Sequence, residues 1–163
     1  MTEAACPGCG LSGPVEDGPL HAYMASSPYC WRLYGELLAR EYGNPLYMAV
    51  HQLTVDAYAV QHPGVDERRA NQSVQLHLAS LHLQLEEGAS GETVRAVMKS
   101  LASKGDFGRL DPPPRRTDWL RVDDVLGATT ADEHRSLVTD WARSAWEAWS
   151  AHHEPIRRLA NSA

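Results

Sequence analysis

The sequence lacks several features that mark particular classes of protein. It has no basic excess, because 15 Lys and Arg stand against 21 Asp and Glu for a net charge of −6. This balance argues against nucleic-acid binding, which needs positive charge to neutralise phosphates. No apolar stretch approaches the about 18 residues that cross a membrane, and the first residues lack the basic and apolar regions of a signal peptide. We therefore expect a cytoplasmic protein that binds neither membranes nor nucleic acid.

Cysteine is scarce. The chain has three cysteines, and an odd number in a reducing compartment argues against a disulfide framework. Two of them lie in Cys6–Gly10, a Cys-Pro-Gly-Cys-Gly segment. This spacing suits zinc, because a tight turn lets both thiolates converge on one tetrahedral ion. A thioredoxin-like redox pair would instead need a helix beginning at the first cysteine beside a βαβ pattern, and the sequence indicates neither.

The other ligands of such a site must come from farther along the chain. Cys30 is the obvious third ligand, because it lies in the first turn of a predicted helix, where the helix dipole favours a thiolate. The competing interpretation is that it is a small buried apolar residue. For the fourth position His21 leads, because it lies in the same loop-rich arm; His62, His153 or a water are the alternatives. A water would leave the zinc open for chemistry, whereas four protein ligands indicate a structural site.

Helix start and stop signals predict an all-α fold with weak strand signals throughout. We expect a single domain over 1–163, a bundle of about five helices with an irregular N-terminal zinc-binding arm. We assign residues 1–27 to the arm and residues 28–105 to the first four helices. We assign residues 106–129 to a Pro-rich connection and residues 130–163 to the C-terminal helix.

Capping residues set the expected helix boundaries. Ser27 with Pro28 begins the first helix and Gly43 ends it. Thr130 begins the last helix as an N-cap, and Pro155 either kinks or restarts it. The four helices between residues 28 and 105 are expected at 28–42, 45–62, 66–87 and 90–105, and a short helical turn at 122–126.

Polar residues accumulate on predicted helices two and three. If these helices pack antiparallel about Gly64, then His51 and His77, each thirteen residues from it, share a level of the bundle. The same counting places Cys30 near His62 and away from His51. Each residue alone is explained as a buried polar group with a backbone or water partner, but together they favour a pocket, because every buried polar group needs a partner. The candidate catalytic residues are His51, Asp56, Tyr58 and His77.

Several segments together resemble an uncharacterised bacterial family of small helical proteins, a domain of unknown function. The resemblance covers nearly the whole chain and implies that the arm and the bundle form one working unit. It implies no particular reaction. The segments that carry it are Cys6–Gly10, His21–Tyr23, Ser27–Trp31, the His-Gln-Leu-Thr-Val-Asp-Ala-Tyr helix with its Gln-His-Pro-Gly end at His51–Gly64, and the Trp and His-His segment Trp146–His153.

Two functions fit these residues, and the interior histidines favour the first. The first is a metal-dependent enzyme, hydrolase- or lyase-like, in which zinc acts on a small molecule and His51, His77 or Asp56 transfers protons. The second is a non-catalytic protein that binds a ligand or partner and whose zinc is structural. Three thiolate candidates and the absence of an HExxH-type motif favour this second function. A third possibility combines structural zinc in the arm with a separate His/Asp site in the bundle.

Overall fold

The first helix, α1 (Pro28–Tyr42), begins and ends at the residues that the sequence predicts. The structure is a computed structural model that describes residues 2–163. In it the Ser27 hydroxyl accepts a hydrogen bond of 3.1 Å from the backbone N–H of Cys30, and Pro28 occupies the first helical position before Gly43 caps the other end. The cap satisfies an amide that the helix itself leaves without a partner.

The rest of the described chain is also mainly helical, which confirms the predicted fold class. None of its helices is both long enough and apolar enough to span a membrane. A 3₁₀ turn at Ser150–His152 precedes the last helix. The further α-helices within residues 2–163 are α2 (Pro45–Met48), α3 (His51–Gln61), α4 (Arg68–Leu85), α5 (Gly91–Ala102), α6 (Val122–Leu126), α7 (Ala131–Ala148) and α8 (His153–Asn161).

Two expected helices are each divided in the structure. The helix predicted at 45–62 breaks at Ala49 and Val50 into α2, which packs on α1 and α7, and α3, which lies between α4 and α7. The C-terminal helix ends at Ala148 and restarts as α8. Pro155 lies in the first turn of α8, where its missing N–H would have no helical partner anyway.

The N-terminal arm contains a β-hairpin, which the prediction of an irregular segment missed. Strands β1 (Glu3–Ala5) and β2 (Ser12–Pro14) pair antiparallel. A Cβ atom on Gly13 would overlap the Tyr29 ring, so the hairpin lies directly against the first turn of α1. Three-residue strands give no alternating pattern long enough to be recognised in a sequence.

The centre of the core lies where α7 crosses the end of α3. Trp141 and Trp149 are almost completely buried there. The indole of Trp141 donates to Oε1 of Gln61 at 2.9 Å and that of Trp149 to the Val60 carbonyl at 3.0 Å. Burial of a tryptophan is favourable when its N–H finds a partner, so these two rings fix the C-terminal end of α3.

A buried carboxylate links three helices at the other end of the bundle. Glu41 of α1 is fully buried. It accepts hydrogen bonds from residues of two other helices: from His51 Nδ1 (2.9 Å) and Thr54 Oγ1 (2.5 Å) of α3, and from His134 Nε2 (2.8 Å) of α7. His77 instead bonds Asp56, so the two histidines that we expected at one level of the bundle are held by different carboxylates. Counting along helices predicts which residues lie at the same height in the bundle. The direction of each side chain then decides which partner it contacts.

Removal of the Glu41 carboxylate is expected to destabilise the bundle. In Glu41→Ala the buried polar atoms of His51, Thr54 and His134 lose their partner, which lowers the free energy of unfolding by about 3 kcal/mol. Glu36→Ala is the matched control, because Glu36 is an exposed carboxylate on the same helix that pairs with Arg32. Urea denaturation followed by circular dichroism measures both, and equal losses in the two variants would contradict the proposed importance of the network.

Candidate metal centre

The turn between β1 and β2 presents Cys6 and Cys9 on one side. The N–H of Cys6 donates to the Leu11 carbonyl at 2.8 Å, and the N–H of Gly10 donates to the Cys6 carbonyl at 3.0 Å. Gly10 has φ of 83°, a left-handed conformation that glycine adopts without strain. The compact turn brings both thiols to the same face.

Gly8 lets this turn lie directly on the end of α3. A Cβ atom at Gly8 would lie 2.8 Å from the Gln61 carbonyl oxygen and closer still to the Ala25 carbonyl and the His62 ring. No side chain fits in that space. The absence of a Cβ therefore determines how near the two cysteines come to His62.

Cys30 and His62 are presented by helix ends. Cys30 lies in the first turn of α1, and His62 caps the C terminus of α3. Nδ1 of His62 lies 2.6 Å from the Tyr58 carbonyl oxygen, which can only accept, so Nδ1 carries the proton. Nε2 faces the Cys30 thiol and is the nitrogen through which the neutral ring could bind an ion. A backbone carbonyl behind the ring is the usual way in which a metal-binding histidine is oriented.

Four ligand atoms cluster, and two of the separations among them match those around a tetrahedral ion. They all lie within 4.8 Å of one another. Sγ of Cys9 and Sγ of Cys30 are 3.8 Å apart, and Sγ of Cys30 lies 3.4 Å from Nε2 of His62. Around a tetrahedral ion with sulfur at about 2.3 Å and nitrogen at about 2.0 Å, the corresponding separations are about 3.8 and about 3.5 Å. Cys6, Cys9, Cys30 and His62 therefore form a group that can hold a metal ion.

Burial makes this group electrostatically demanding. The three cysteines are 0% exposed and His62 is 1% exposed. Hydrogen bonds with the thiols of Cys30 and Cys9 lower the pKa of Cys6, and the same sulfur contacts raise the pKa of the Cys30 thiol. Burial opposes a charged His62 imidazole, but the contacts with Cys6 and Cys9 raise its pKa to about 9. A second or third thiolate at this distance needs a cation beside it.

Aromatic rings enclose the side of the group that faces the bundle. Tyr58 is fully buried, and its ring stacks between those of Tyr34 and His62, with centroids 3.9 Å from each. Its hydroxyl lies 3.3 Å from Sγ of Cys30. Burial, followed by the nearby Cys30 sulfur, raises the pKa of Tyr58. The hydroxyl therefore keeps its proton and can donate a hydrogen bond to the Cys30 sulfur.

The Pro-rich connection fastens the other side of the turn. The Cys9 carbonyl accepts hydrogen bonds of 3.0 Å from Nε1 of Trp119 and Nε of Arg121. The Cys6 carbonyl accepts one of 3.0 Å from Arg115. Sequence reasoning did not identify these residues, because isolated Trp and Arg side chains in an irregular segment form no pattern.

The other proposed ligands lie elsewhere. His21, the leading candidate for the fourth position, is not among the clustered ligand atoms, and its Nδ1 accepts a hydrogen bond from the Tyr23 N–H at 3.0 Å. His153 stacks on Trp146 and donates from Nε2 to that residue's carbonyl at 2.8 Å. The structure brings the alternative His62 to the thiols because the cysteine turn packs on the end of α3.

The four candidate catalytic residues lie in three separate places. Tyr58 belongs to the surroundings of the metal group, and His51 is bonded to Glu41. Asp56 and His77 form a pair of their own, with 2.7 Å between Oδ1 and Nδ1. The residues that a shared pocket was expected to combine are therefore divided among the cysteine group and two buried carboxylates.

Comparison with known proteins places this arrangement in a family. Residues 4–150 match the profile of a family of unknown function, DUF5946. No curated protein and no solved structure matches the chain. The match includes all four residues of the cysteine and histidine group, and it spans most of the sequence. The chain therefore belongs to DUF5946.

Proposed function

We propose that the protein is a zinc-binding protein whose ion is structural and holds the N-terminal hairpin on the helical bundle. The observation that carries this proposal is the convergence of four buried potential ligand atoms within 4.8 Å of one another. Zinc is the ion that best suits three thiolates and one imidazole in such a closed site, because it is borderline-soft and imposes no geometry of its own.

The surroundings of the site support a structural role over a catalytic one. Catalytic zinc keeps one position for water or substrate, whereas here the protein supplies four ligands. A cavity of about 200 Å³ lies beside the cysteine turn, and its lining includes Pro7, Gly8 and Trp119 but none of the four ligands. A substrate in that cavity would meet the back of the turn and not the ion.

The sequence positions of the ligands explain what the ion contributes. Cys30 is 21 residues from Cys9 and 32 residues from His62. One ion would thus cross-link the hairpin, the start of α1 and the end of α3. A two-stranded hairpin is marginally stable by itself, and metal binding adds its free energy directly to that of folding.

Metal analysis tests this proposal. We expect the purified protein to contain one zinc per chain, measured by inductively coupled plasma mass spectrometry. Cys30→Ala loses the ion and lowers the free energy of unfolding by about 3 kcal/mol or more, because a buried three-ligand site binds zinc weakly. The matched control is His21→Ala, which retains the ion. A wild-type protein without zinc, or loss of the ion from His21→Ala, would refute the proposal.

A backbone substitution tests the geometry without removing a ligand. Gly8→Ala forces the cysteine turn away from α3, so we expect weaker zinc binding in competition with a chelating dye and a loss of stability of about 2 kcal/mol. Gly35→Ala is the control, because a Cβ there meets nothing within 4 Å and alanine favours a helix by up to about 1 kcal/mol. Zinc affinity in Gly8→Ala equal to that of the control would show that the close approach is unimportant.

A further inference from the structure

One face of α4 presents three polar side chains in a row. Arg69, Ser73 and His77 are separated by intervals of four residues, a spacing that aligns side chains along one side of a helix. All three line a cavity of about 320 Å³ whose remaining lining is Tyr23, Gln72, Leu76 and Met98. The volume lies at the lower end of the range, from about 300 Å³ upward, that is usual for small-molecule sites.

His77 is held in a fixed orientation at the inner end of this row. Its Nδ1 lies 2.7 Å from Oδ1 of Asp56, a carboxylate that is fully buried. A carboxylate only accepts hydrogen bonds, so Nδ1 donates. The other ring nitrogen, Nε2, takes no part in this pair. Among residues 2–163, Nε2 of His77 makes no hydrogen bond, and the side chain is 16% exposed.

The Asp56 carboxylate does not need His77 to be satisfied. Its oxygens also accept hydrogen bonds from Gln52 Nε2 (2.8 Å), Ser80 Oγ (2.5 Å) and Gln84 Nε2 (2.8 Å). The contacts with Ser80 and Gln84 tie α3 to α4 without the histidine, and the Gln52 contact lies within α3. The histidine adds an imidazole that reaches the cavity with one nitrogen fixed and the other available, which is the arrangement of a group that binds or accepts a proton.

Arg69 supplies positive charge at the outer end of the row. One guanidinium nitrogen donates to the Tyr23 hydroxyl at 3.1 Å. The guanidinium has five N–H donors, and within the described chain this is its one hydrogen bond. The Ser73 hydroxyl, between Arg69 and His77, likewise has no partner there. Donors without partners thus lie at the outer end and in the middle of the cavity, and the available imidazole nitrogen lies at the inner end.

We infer that this cavity binds a small organic molecule with an oxyanion at one end and a hydroxyl or amino group at the other. Arg69 takes the carboxylate or phosphate, to which its planar donors are suited. Nε2 of His77 accepts a hydrogen bond from the opposite end, and Leu76 with Met98 contacts the carbon chain between. Eight residues of helix separate the Cα atoms of Arg69 and His77 by about 12 Å.

The inference goes beyond the zinc proposal and does not depend on the identity of the ion. The two sites nevertheless share a segment, because Tyr23 precedes Ala25, whose N–H donates to the His62 carbonyl at 3.0 Å. The arm that the metal group anchors therefore supplies one wall of the cavity. Zinc content, measured on every variant, separates a failure of the cavity proposal from a failure of the zinc proposal.

Matched ligands test the cavity on the full-length protein. Hexanoate, 6-hydroxyhexanoate and hexyl phosphate are titrated and followed by ¹H–¹⁵N NMR and calorimetry. We expect shifts at Tyr23, Ser73 and His77, and tighter binding of 6-hydroxyhexanoate than of hexanoate. Preference for hexyl phosphate over hexanoate identifies a phosphate head group and the reverse preference a carboxylate; either supports the proposal. No shift at these residues with any of the three probes would overturn it.

Variants assign the two ends of the ligand. Arg69→Ala lowers the affinity for all three probes by about tenfold or more, because a charged hydrogen-bond donor is lost. Arg68→Ala, an exposed arginine that does not line the cavity, changes affinity less than twofold. His77→Ala abolishes the preference for 6-hydroxyhexanoate over hexanoate and leaves zinc content unchanged. Equal effects of Arg68→Ala and Arg69→Ala, or a retained preference in His77→Ala, would contradict the assignment.

Discussion

The close packing of the cysteine turn on the end of α3 is the contact on which the metal group depends. Three thiols and an imidazole meet there without access to solvent, and such a group is costly to bury unless a cation balances it. The hairpin contributes little core of its own, so the bundle must hold it from outside. The Pro-rich connection does this through hydrogen bonds from Arg115, Trp119 and Arg121 to the carbonyls of the turn. Contacts with the backbone of the turn thus position the side chains that could hold an ion.

Two buried carboxylates organise the rest of the bundle in different ways. Glu41 of α1 bonds His51 and Thr54 of α3 and His134 of α7, so its partners hold the three helices together. Asp56 also ties helices together, but one of its partners, His77, reaches a cavity. The same chemical pair, a histidine on a carboxylate, therefore has two different consequences according to whether the second nitrogen has a hydrogen-bond partner within residues 2–163, as Nε2 of His51 does in the Tyr42 hydroxyl at 3.4 Å. His51 belongs to the first case and His77 to the second.

Local signals in the sequence predicted much of the fold and part of the metal group. Ser27, Pro28 and Gly43 marked the ends of α1 because capping is local chemistry, and Cys6 and Cys9 were recognisable from their spacing. Counting residues from the turns between antiparallel helices placed Cys30 near His62, because residues at equal distances from such a turn lie side by side. The choice of His62 over His21 was not available from sequence, because it depends on Gly8 packing against α3. Nor was the division of His51, Asp56, Tyr58 and His77 among three places, which depends on side-chain direction.

X-ray absorption at the zinc edge of the protein as purified tests directly whether one ion is bound by three sulfurs and one nitrogen. We expect a four-coordinate shell with three sulfurs at about 2.3 Å and one nitrogen at about 2.0 Å. A shell with fewer than three sulfurs, or one made of oxygen and nitrogen alone, would contradict it.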